Sequence, residues 1–181
     1  MKLLIVSDIH GDLDSARMIF SAYEQEHCDK ILLLGDILYH GPRNDLPPSY
    51  NPKGVIELLN MNRSKLLAVR GNCDTEVDQM VLDFPILADY CYLSLDGLTI
   101  FATHGHRYNL ENIPAIGSGE ILLHGHTHIP ACQEFGCSNH YLNPGSVSIP
   151  KGGYAKTYMI YDNRCFTVKD FEGKIIFAKQ F

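Results

Sequence analysis

Short apolar runs that stop abruptly at polar residues set the rhythm of the first part of the chain. Lys2 to Ser7 is one such run and reads as a buried strand. Behind it Leu13, Ala16, Ile19, Phe20 and Tyr23 recur at helical spacing, with Asp12 placed to cap a helix. Lys30 to Leu34 predicts a second buried strand, ending in Gly35-Asp36. A loop with Pro42, Pro47, Pro48 and Pro52 follows, too rich in proline for regular structure. Val55, Ile56, Leu58 and Leu59 predict a second helix, and Lys65 to Arg70 a third strand ending in Gly71-Asn72. Strand, helix, strand, helix, strand in this order points to a parallel α/β start.

The pattern then changes period. Tyr90 to Leu95 and Leu98 to Thr103 flank Asp96-Gly97, a two-residue hairpin signal. Ile121 to His124 predicts a short strand leading into Gly125-His126-Thr127-His128. After Asn143-Pro144-Gly145, the segments Tyr158 to Tyr161, Cys165 to Lys169 and Lys174 to Lys179 predict a meander, turning at Asp162-Asn163-Arg164 and Glu172-Gly173. No convincing helix follows about residue 120, and no repeat or linker interrupts the chain. The expectation is a single domain over residues 1–181, α/β leading into antiparallel β, with two packed sheets and helices outside.

Composition narrows the class. A chain of 181 residues is about one domain long and can bury a full core without disulfides or a structural metal. With 45% hydrophobic and 20% charged residues, it is neither disordered, collagen-like nor coiled coil. No apolar run approaches the ~20 residues a membrane-spanning helix needs, and the N-terminus turns acidic at Asp8, too soon for a signal peptide. Six cysteines without a C-x-x-C pair read as reduced thiols, so a cytoplasmic location is expected. Fifteen Lys and Arg against 21 Asp and Glu leave a net charge of -6 and no basic stripe. Neither long nucleic acid nor a membrane is therefore an expected partner. A bound phosphate would need positive charge from local arginines or metal ions.

The candidate chemistry sits where apolar strands end. Asp8 and His10 follow the first strand, Asp36 the second, Asn72 the third, His104 the hairpin, and His126 with His128 the short strand. Ligand sites in α/β sheets form at the carboxyl ends of strands, which would gather these residues in one cleft. Residues two apart in an extended segment point the same way. Asp8 and His10 would then reach one ion, and His126 and His128 would line one side. Two carboxylates, four imidazoles and one amide oxygen are too many donors for one tetrahedral zinc, and two first-row divalent ions suit them better.

In this order the residues resemble the calcineurin-like metallophosphoesterases, whose pattern is Asp-x-His, Gly-Asp, Gly-Asn-His-Asp, a later His, and Gly-His-x-His. Here it stands as Asp8-Ile9-His10, Gly35-Asp36, Gly71-Asn72-Cys73-Asp74, His104 and Gly125-His126-Thr127-His128, extended by Asn143-Pro144-Gly145-Ser146. Within that family the chain is similar to the small bacterial YfcE-type phosphodiesterases, through His40-Gly41-Pro42-Arg43-Asn44 and Ser146 to Gly153. The resemblance implies a four-layer αββα sandwich of two packed mixed sheets flanked by helices. It implies Asp36 bridging two ions, with Asp8, His10 and His128 on one and Asn72, His104 and His126 on the other. Mn²⁺ is the first expectation for both ions, with Fe, Ni, Zn or Co as alternatives. The implied reaction is hydrolysis of a small phosphodiester by in-line attack of a metal-bridging hydroxide, in a protein expected to be a homo-oligomer.

Asn72, Cys73, Asp74 and His104 form the candidate catalytic group. The family histidine at position 73 is a candidate proton donor to the leaving oxygen, and a thiol serves that task less well. Alkyl monoesters should suffer most from its loss, which suggests a diesterase. Cys73 does not fit a Cys-x5-Arg phosphatase nucleophile, because position 79 is Gln79. Asp74 either orients its neighbours or is a turn acid. Arg43 either grips a substrate phosphate with its planar fork or is a solvated loop arginine. His106, two beyond His104, is a candidate substrate contact or proton donor. The alternatives within the family are a phosphomonoesterase or a nucleotide-pyrophosphate hydrolase. The alternative outside catalysis is an interaction scaffold on the same fold, as in the eukaryotic retromer.

Overall fold

Alternation within four-residue strands decides the architecture. In the computed structural model, which describes residues 1–181, the first half holds β1 (Leu3–Val6), α1 (Leu13–Gln25), β2 (Lys30–Leu33), α2 (Pro52–Met61), β3 (Leu66–Ala68) and α3 (Glu76–Gln79). It is followed by β4 (Tyr90–Leu95), β5 (Leu98–Thr103), β6 (Ile121–Leu123), β7 (Ala131–Phe135), β8 (Asn139–Asn143), β9 (Thr157–Asp162), β10 (Cys165–Asp170) and β11 (Ile175–Gln180). Leu4 and Val6 of β1, with Ile31 and Leu33 of β2, pack against Ala16, Ile19 and Ala22 of α1 and Val55 and Leu59 of α2. The residues between them, Leu3, Ile5 and Leu32, belong to a second cluster with Ile100, Ala102, Ile121, Leu123 and Leu142. Both faces of the first sheet are therefore apolar, as buried strands require, and each fully buried Leu or Ile contributes about 1.5–3 kcal/mol.

The strands form two mixed sheets, as the resemblance implies, but no helix lies on the second sheet, where the outer layer is irregular chain. The six-stranded sheet runs β11-β10-β9-β1-β2-β3, with β1, β2 and β3 parallel and β9 to β11 antiparallel. The five-stranded sheet runs β4-β5-β6-β8-β7, with β5, β6 and β8 parallel between antiparallel edges. Helices α1 and α2 cover the outer face of the first sheet. On the second sheet the segment 104–120 crosses the outer face, where Tyr108 meets Phe101 and Ala115 accepts a hydrogen bond from Tyr92. No helix is long and apolar enough to cross a membrane.

Local chemistry accounts for the boundaries. The Asp12 carboxylate accepts from the Ser15 backbone N–H at 2.9 Å and starts α1. Asn51 does the same for α2 through Gly54 at 3.0 Å, with Pro52 at the first helical position. Asp96 and Gly97 both adopt positive φ, as the two-residue hairpin turn between β4 and β5 demands. Two elements carry no apolar period and were not foreseeable from it. Strand β7 is an edge whose Cys132, Gln133 and Glu134 are exposed. Helix α3 is a single turn held by the reciprocal Thr75–Asp78 capping bonds.

Candidate metal centre

Five loops bring the candidate residues together: those after β1, β2 and β3 of one sheet and after β5 and β6 of the other. The backbone there is not extended. Asp8, His10, Asp36, His126 and His128 all lie in the left-handed region, with φ between 49° and 66°. Such a conformation costs of order 1–3 kcal/mol for a non-glycine residue, and surrounding contacts must enforce it. They do so here. Asp8 N–H bonds Gly35 O at 3.2 Å and His10 N–H bonds Asp36 O at 2.9 Å, lacing the first loop to the second. The Ser148 hydroxyl donates to Asp8 O at 2.6 Å, and Asn143 Nδ2 braces Gly125 O at 2.8 Å. Gly125 packs so tightly on Ser7 and Asp8 that a side chain there would overlap both.

This corrects the extended-segment argument. Asp8 and His10 do converge, with 3.6 Å between Asp8 Oδ1 and His10 Nε2, but through a tight turn. His126 and His128 part company. His128 joins Asp8 and His10, whereas His126 joins Asp36 and His104.

The ring tautomers follow from backbone partners. Nδ1 of His10 faces Tyr39 O at 2.8 Å, that of His104 faces Leu34 O at 2.6 Å, and that of His128 faces Ile149 O at 2.6 Å. A carbonyl oxygen only accepts, so each Nδ1 carries the proton and each neutral ring presents a bare Nε2 lone pair. Those lone pairs converge. His10 Nε2 and His128 Nε2 stand 3.4 Å apart, and His128 Nε2 is 3.3 Å from Asp8 Oδ1. His104 Nε2 is 3.1 Å from Asn72 Oδ1, 3.1 Å from His126 Nδ1 and 3.4 Å from Asp36 Oδ2. Asp36 Oδ2 also lies 3.7 Å from His10 Nε2, so this carboxylate stands between the two groups.

Donors bound at about 2.1 Å around one ion stand about 3.0–3.4 Å from one another. The contacts within and between the two groups run from 3.1 to 3.7 Å, close to that spacing. Two facing lone pairs, and an Asp8 Oδ1 buried without a hydrogen-bond partner, suit a cation. The donors are nitrogen and oxygen throughout, which fits first-row divalent ions. The buried carboxylates also draw positive charge to both groups. Burial opposes charge on Asp8, yet the imidazoles of His10 and His128 hold its carboxyl well below the usual range. Burial likewise opposes charge on His104, but the bond to Asp36 and the charges of Asp8 and Asp36 raise it to about 9.

The other sequence candidates fall into place around these groups. Asp74 is buried, and its carboxylate accepts from the backbone N–H groups of Asp36 at 2.8 Å, Ile37 at 2.8 Å and Gly71 at 2.7 Å. It therefore orients the loops that carry Asp36 and Asn72. Cys73 donates its backbone N–H to Asp36 Oδ1 at 2.8 Å, leaving Oδ2 for the histidines. Its thiol lies within reach of the Asp36 and His10 donor atoms, and burial, reinforced by the Asp36 charge, pushes it up so that it stays protonated. Asp36, Asn72, Cys73, His126 and His128 open on a cavity of about 380 Å³ whose rim includes Arg43. His106 lies tilted against His104 and His126, 5.5 Å and 6.3 Å between ring centres, and is not among the residues lining that cavity. Burial, with the charge of His104 next, lowers it to about 4. The supports supplied by Tyr39 O, Leu34 O and Ile149 O were missed, since a backbone carbonyl has no residue-type signature, and the Ser148 hydroxyl was noted only as part of the segment Ser146 to Gly153.

Comparison with known proteins places this geometry. The family model for the calcineurin-like phosphoesterase superfamily domain matches residues 1–164. Phosphodiesterase YfcE of Escherichia coli strain K12 is 45% identical over 179 residues, covering 99% of this chain and 97% of that protein. A solved structure of that phosphoesterase from E. coli matches with a TM-score of 0.95 at 44% identity, over 99% of this chain and 98% of the other. Vps29 of Chaetomium thermophilum shares the fold, with a TM-score of 0.63 at 17% identity over 99% of this chain and 96% of that one.

Proposed function

The chain belongs to the calcineurin-like phosphoesterase superfamily, and we propose that within it the protein is a metal-dependent phosphodiesterase acting on a small phosphodiester at a dinuclear site. The observation that carries this reading is the pair of donor groups sharing Asp36, each with lone pairs aimed at a common point. Asp8, His10, His128 and Asp36 would hold one ion; Asp36, Asn72, His104 and His126 would hold the other. When bound, such ions offset charge on a phosphate and acidify water to supply a nucleophile near neutral pH. The chain's own residues do the positioning. The three Nδ1–H bonds to backbone carbonyls fix ring orientation, and Cys73 N–H fixes the Asp36 rotamer. Asn72 and Arg43 face the cavity where the phosphate would lie. Likeness to Vps29 is a likeness of fold alone, and the seven candidate ligands, all present and converging, favour catalysis over a scaffold.

Chelator-stripped protein should regain cleavage of bis-p-nitrophenyl phosphate when Mn²⁺ is added, with p-nitrophenyl phosphate cleaved more slowly. The same addition should raise the melting temperature by roughly 5–10 °C at saturating metal, because an ion that binds only the folded state stabilises it by mass action. No cleavage and no thermal shift with any divalent ion would overturn the reading.

The diester preference is tied to the protonated Cys73 thiol, which is a weak donor to a departing oxygen. Cys73→His should raise monoester relative to diester turnover by about tenfold or more, since a placed general acid contributes at least that much. An unchanged ratio of the two activities in a folded, metal-binding variant would sink this account of specificity.

A further inference from the structure

The rim of the metal cleft carries two cations that the rest of the molecule does not use. Of the fifteen Lys and Arg side chains, eleven are held by an acidic partner or a backbone carbonyl. Arg43, Lys53, Lys151 and Lys174 are the four that are not, and Arg43 and Lys151 both line the same cavity of about 380 Å³ as Asp36, Asn72 and His128. That cavity has a single apolar lining residue. In a chain with net charge -6, leaving two cations without counter-ions at one mouth is an arrangement that awaits an anion.

Both are delivered there by built structure. The Lys151 backbone N–H donates to His128 O at 3.1 Å, while His128 Nδ1–H donates to Ile149 O at 2.6 Å, so the segment is clamped to a candidate metal ligand on both sides. Gly152 and Gly153, at φ 65° and 77°, then turn the chain away. Arg43 sits in a turn closed by Asn44, whose Nδ2 donates to His40 O at 2.8 Å and whose N–H donates to Gly41 O at 3.4 Å. Gly41 lies against Cys73, which brings this turn to the cleft from the opposite side.

We propose that Arg43 and Lys151 form a second anion position beside the metal site, so that the substrate class is a phosphodiester carrying another negatively charged group. The inference rests on the phosphodiesterase reading and narrows it. Two divalent ions and the carboxylates of Asp8 and Asp36 leave a formal charge of about +2, already enough for the single charge of a diester. Arg43 and Lys151 raise the total to about +4, which a substrate with a further phosphate or carboxylate complements. The planar guanidinium suits two oxygens of one such group, and the ammonium serves as a point charge beside it.

The test is calorimetric titration of Mn²⁺-loaded protein with two probes that share a four-carbon chain, one with a phosphonate at each end and one with a single phosphonate. The bisphosphonate should bind about tenfold tighter than the monophosphonate, as one charge-assisted contact provides. Lys151→Gln should cut that ratio to less than about threefold, whereas Lys174→Gln, which removes an unpaired cation in a distant turn, should keep it. Equal affinities in the unsubstituted protein, no binding of the bisphosphonate, or a ratio that survives Lys151→Gln would overturn the proposal. Carbon–phosphorus bonds are not hydrolysed, so this result is independent of turnover; absence of diester cleavage would strike the proposed function and leave the binding ratio to be judged separately.

Discussion

Asp36→Asn should reduce metal-dependent diester cleavage by at least about three orders of magnitude, about 4 kcal/mol of barrier, and should also lower the stability of the metal-free fold at neutral pH. Both losses follow from one geometry. An asparagine in the same rotamer keeps an oxygen where Asp36 Oδ1 accepts from Cys73 N–H at 2.8 Å. Its amide nitrogen then replaces Oδ2 and donates toward His104 Nε2 and His10 Nε2, now 3.4 Å and 3.7 Å away. The lone pairs that would hold two ions are met by amide hydrogens, and the shared carboxylate is gone. At the same time His104 loses its carboxylate partner: burial opposes charge on Asp36, yet the bond and charge of His104 hold it below its usual range, so removing one member of this buried pair leaves the other uncompensated. The measurements are kcat/KM and thermal melts with and without Mn²⁺. Activity should fall, and the melting rise on adding metal should shrink. A variant with diesterase activity within about tenfold of the parent would remove Asp36 from the shared position proposed for it.

The fold was largely legible because its strands are short and buried on both faces. Runs such as Leu3–Val6 and Ile31–Leu34 have no polar interruption, and the hairpin at Asp96-Gly97 was readable to the residue because its turn chemistry is specific. The strand β7 was not readable, since an edge with one wet face dilutes its apolar pattern with Cys132, Gln133 and Glu134. Nor does any periodicity announce that the segment 104–120, rather than a helix, crosses the outer face of the second sheet. Its aromatic contacts, Tyr108 against Phe101 and Tyr90, become neighbours only after folding.

For the candidate site, residue identity was legible and local geometry was not. Polar residues at strand ends already named Asp8, His10, Asp36, Asn72, His104, His126 and His128. The assumption that they project from extended backbone failed, because five of them occupy left-handed conformations. A sequence shows no φ angle for a non-glycine residue. What it does show is the company such strain requires: the small or polar residues Gly35, Gly125, Asn143, Ser146 and Ser148, which close in on the loops and bond their backbones. Strain at the ligands and hydrogen bonds behind them are two halves of one arrangement. Seen this way, the Asn-Pro-Gly-Ser segment is a brace, distant in sequence from the residue it holds.

Asp74 tests how far such bracing matters. Asp74→Asn should lower the stability of the metal-free protein by about 2 kcal/mol, or roughly 4–8 °C in melting temperature. It should also lower kcat/KM by about tenfold to a hundredfold, in the range seen when groups supporting a metal ligand are lost. The carboxylate has only acceptors, and three backbone donors converge on its two oxygens: Asp36 N–H and Gly71 N–H on Oδ2, Ile37 N–H on Oδ1. An asparagine must turn its own NH₂ against at least one of them, whichever way it flips. Relief of a buried charge works in the other direction, for burial, with the charge of Asp36, raises the Asp74 carboxyl above its ordinary value. The donors win because they are buried backbone groups with no alternative partner, and an unmet buried N–H costs about 1–3 kcal/mol. The loop they belong to carries Asp36 itself, so loss of the brace should be felt at the metal, as a weaker Mn²⁺-induced rise in melting temperature. A variant that melts with the parent and keeps its activity would make Asp74 an ordinary turn acid, and would shift the burden of holding Asp36 onto the Cys73 N–H and the His10 N–H.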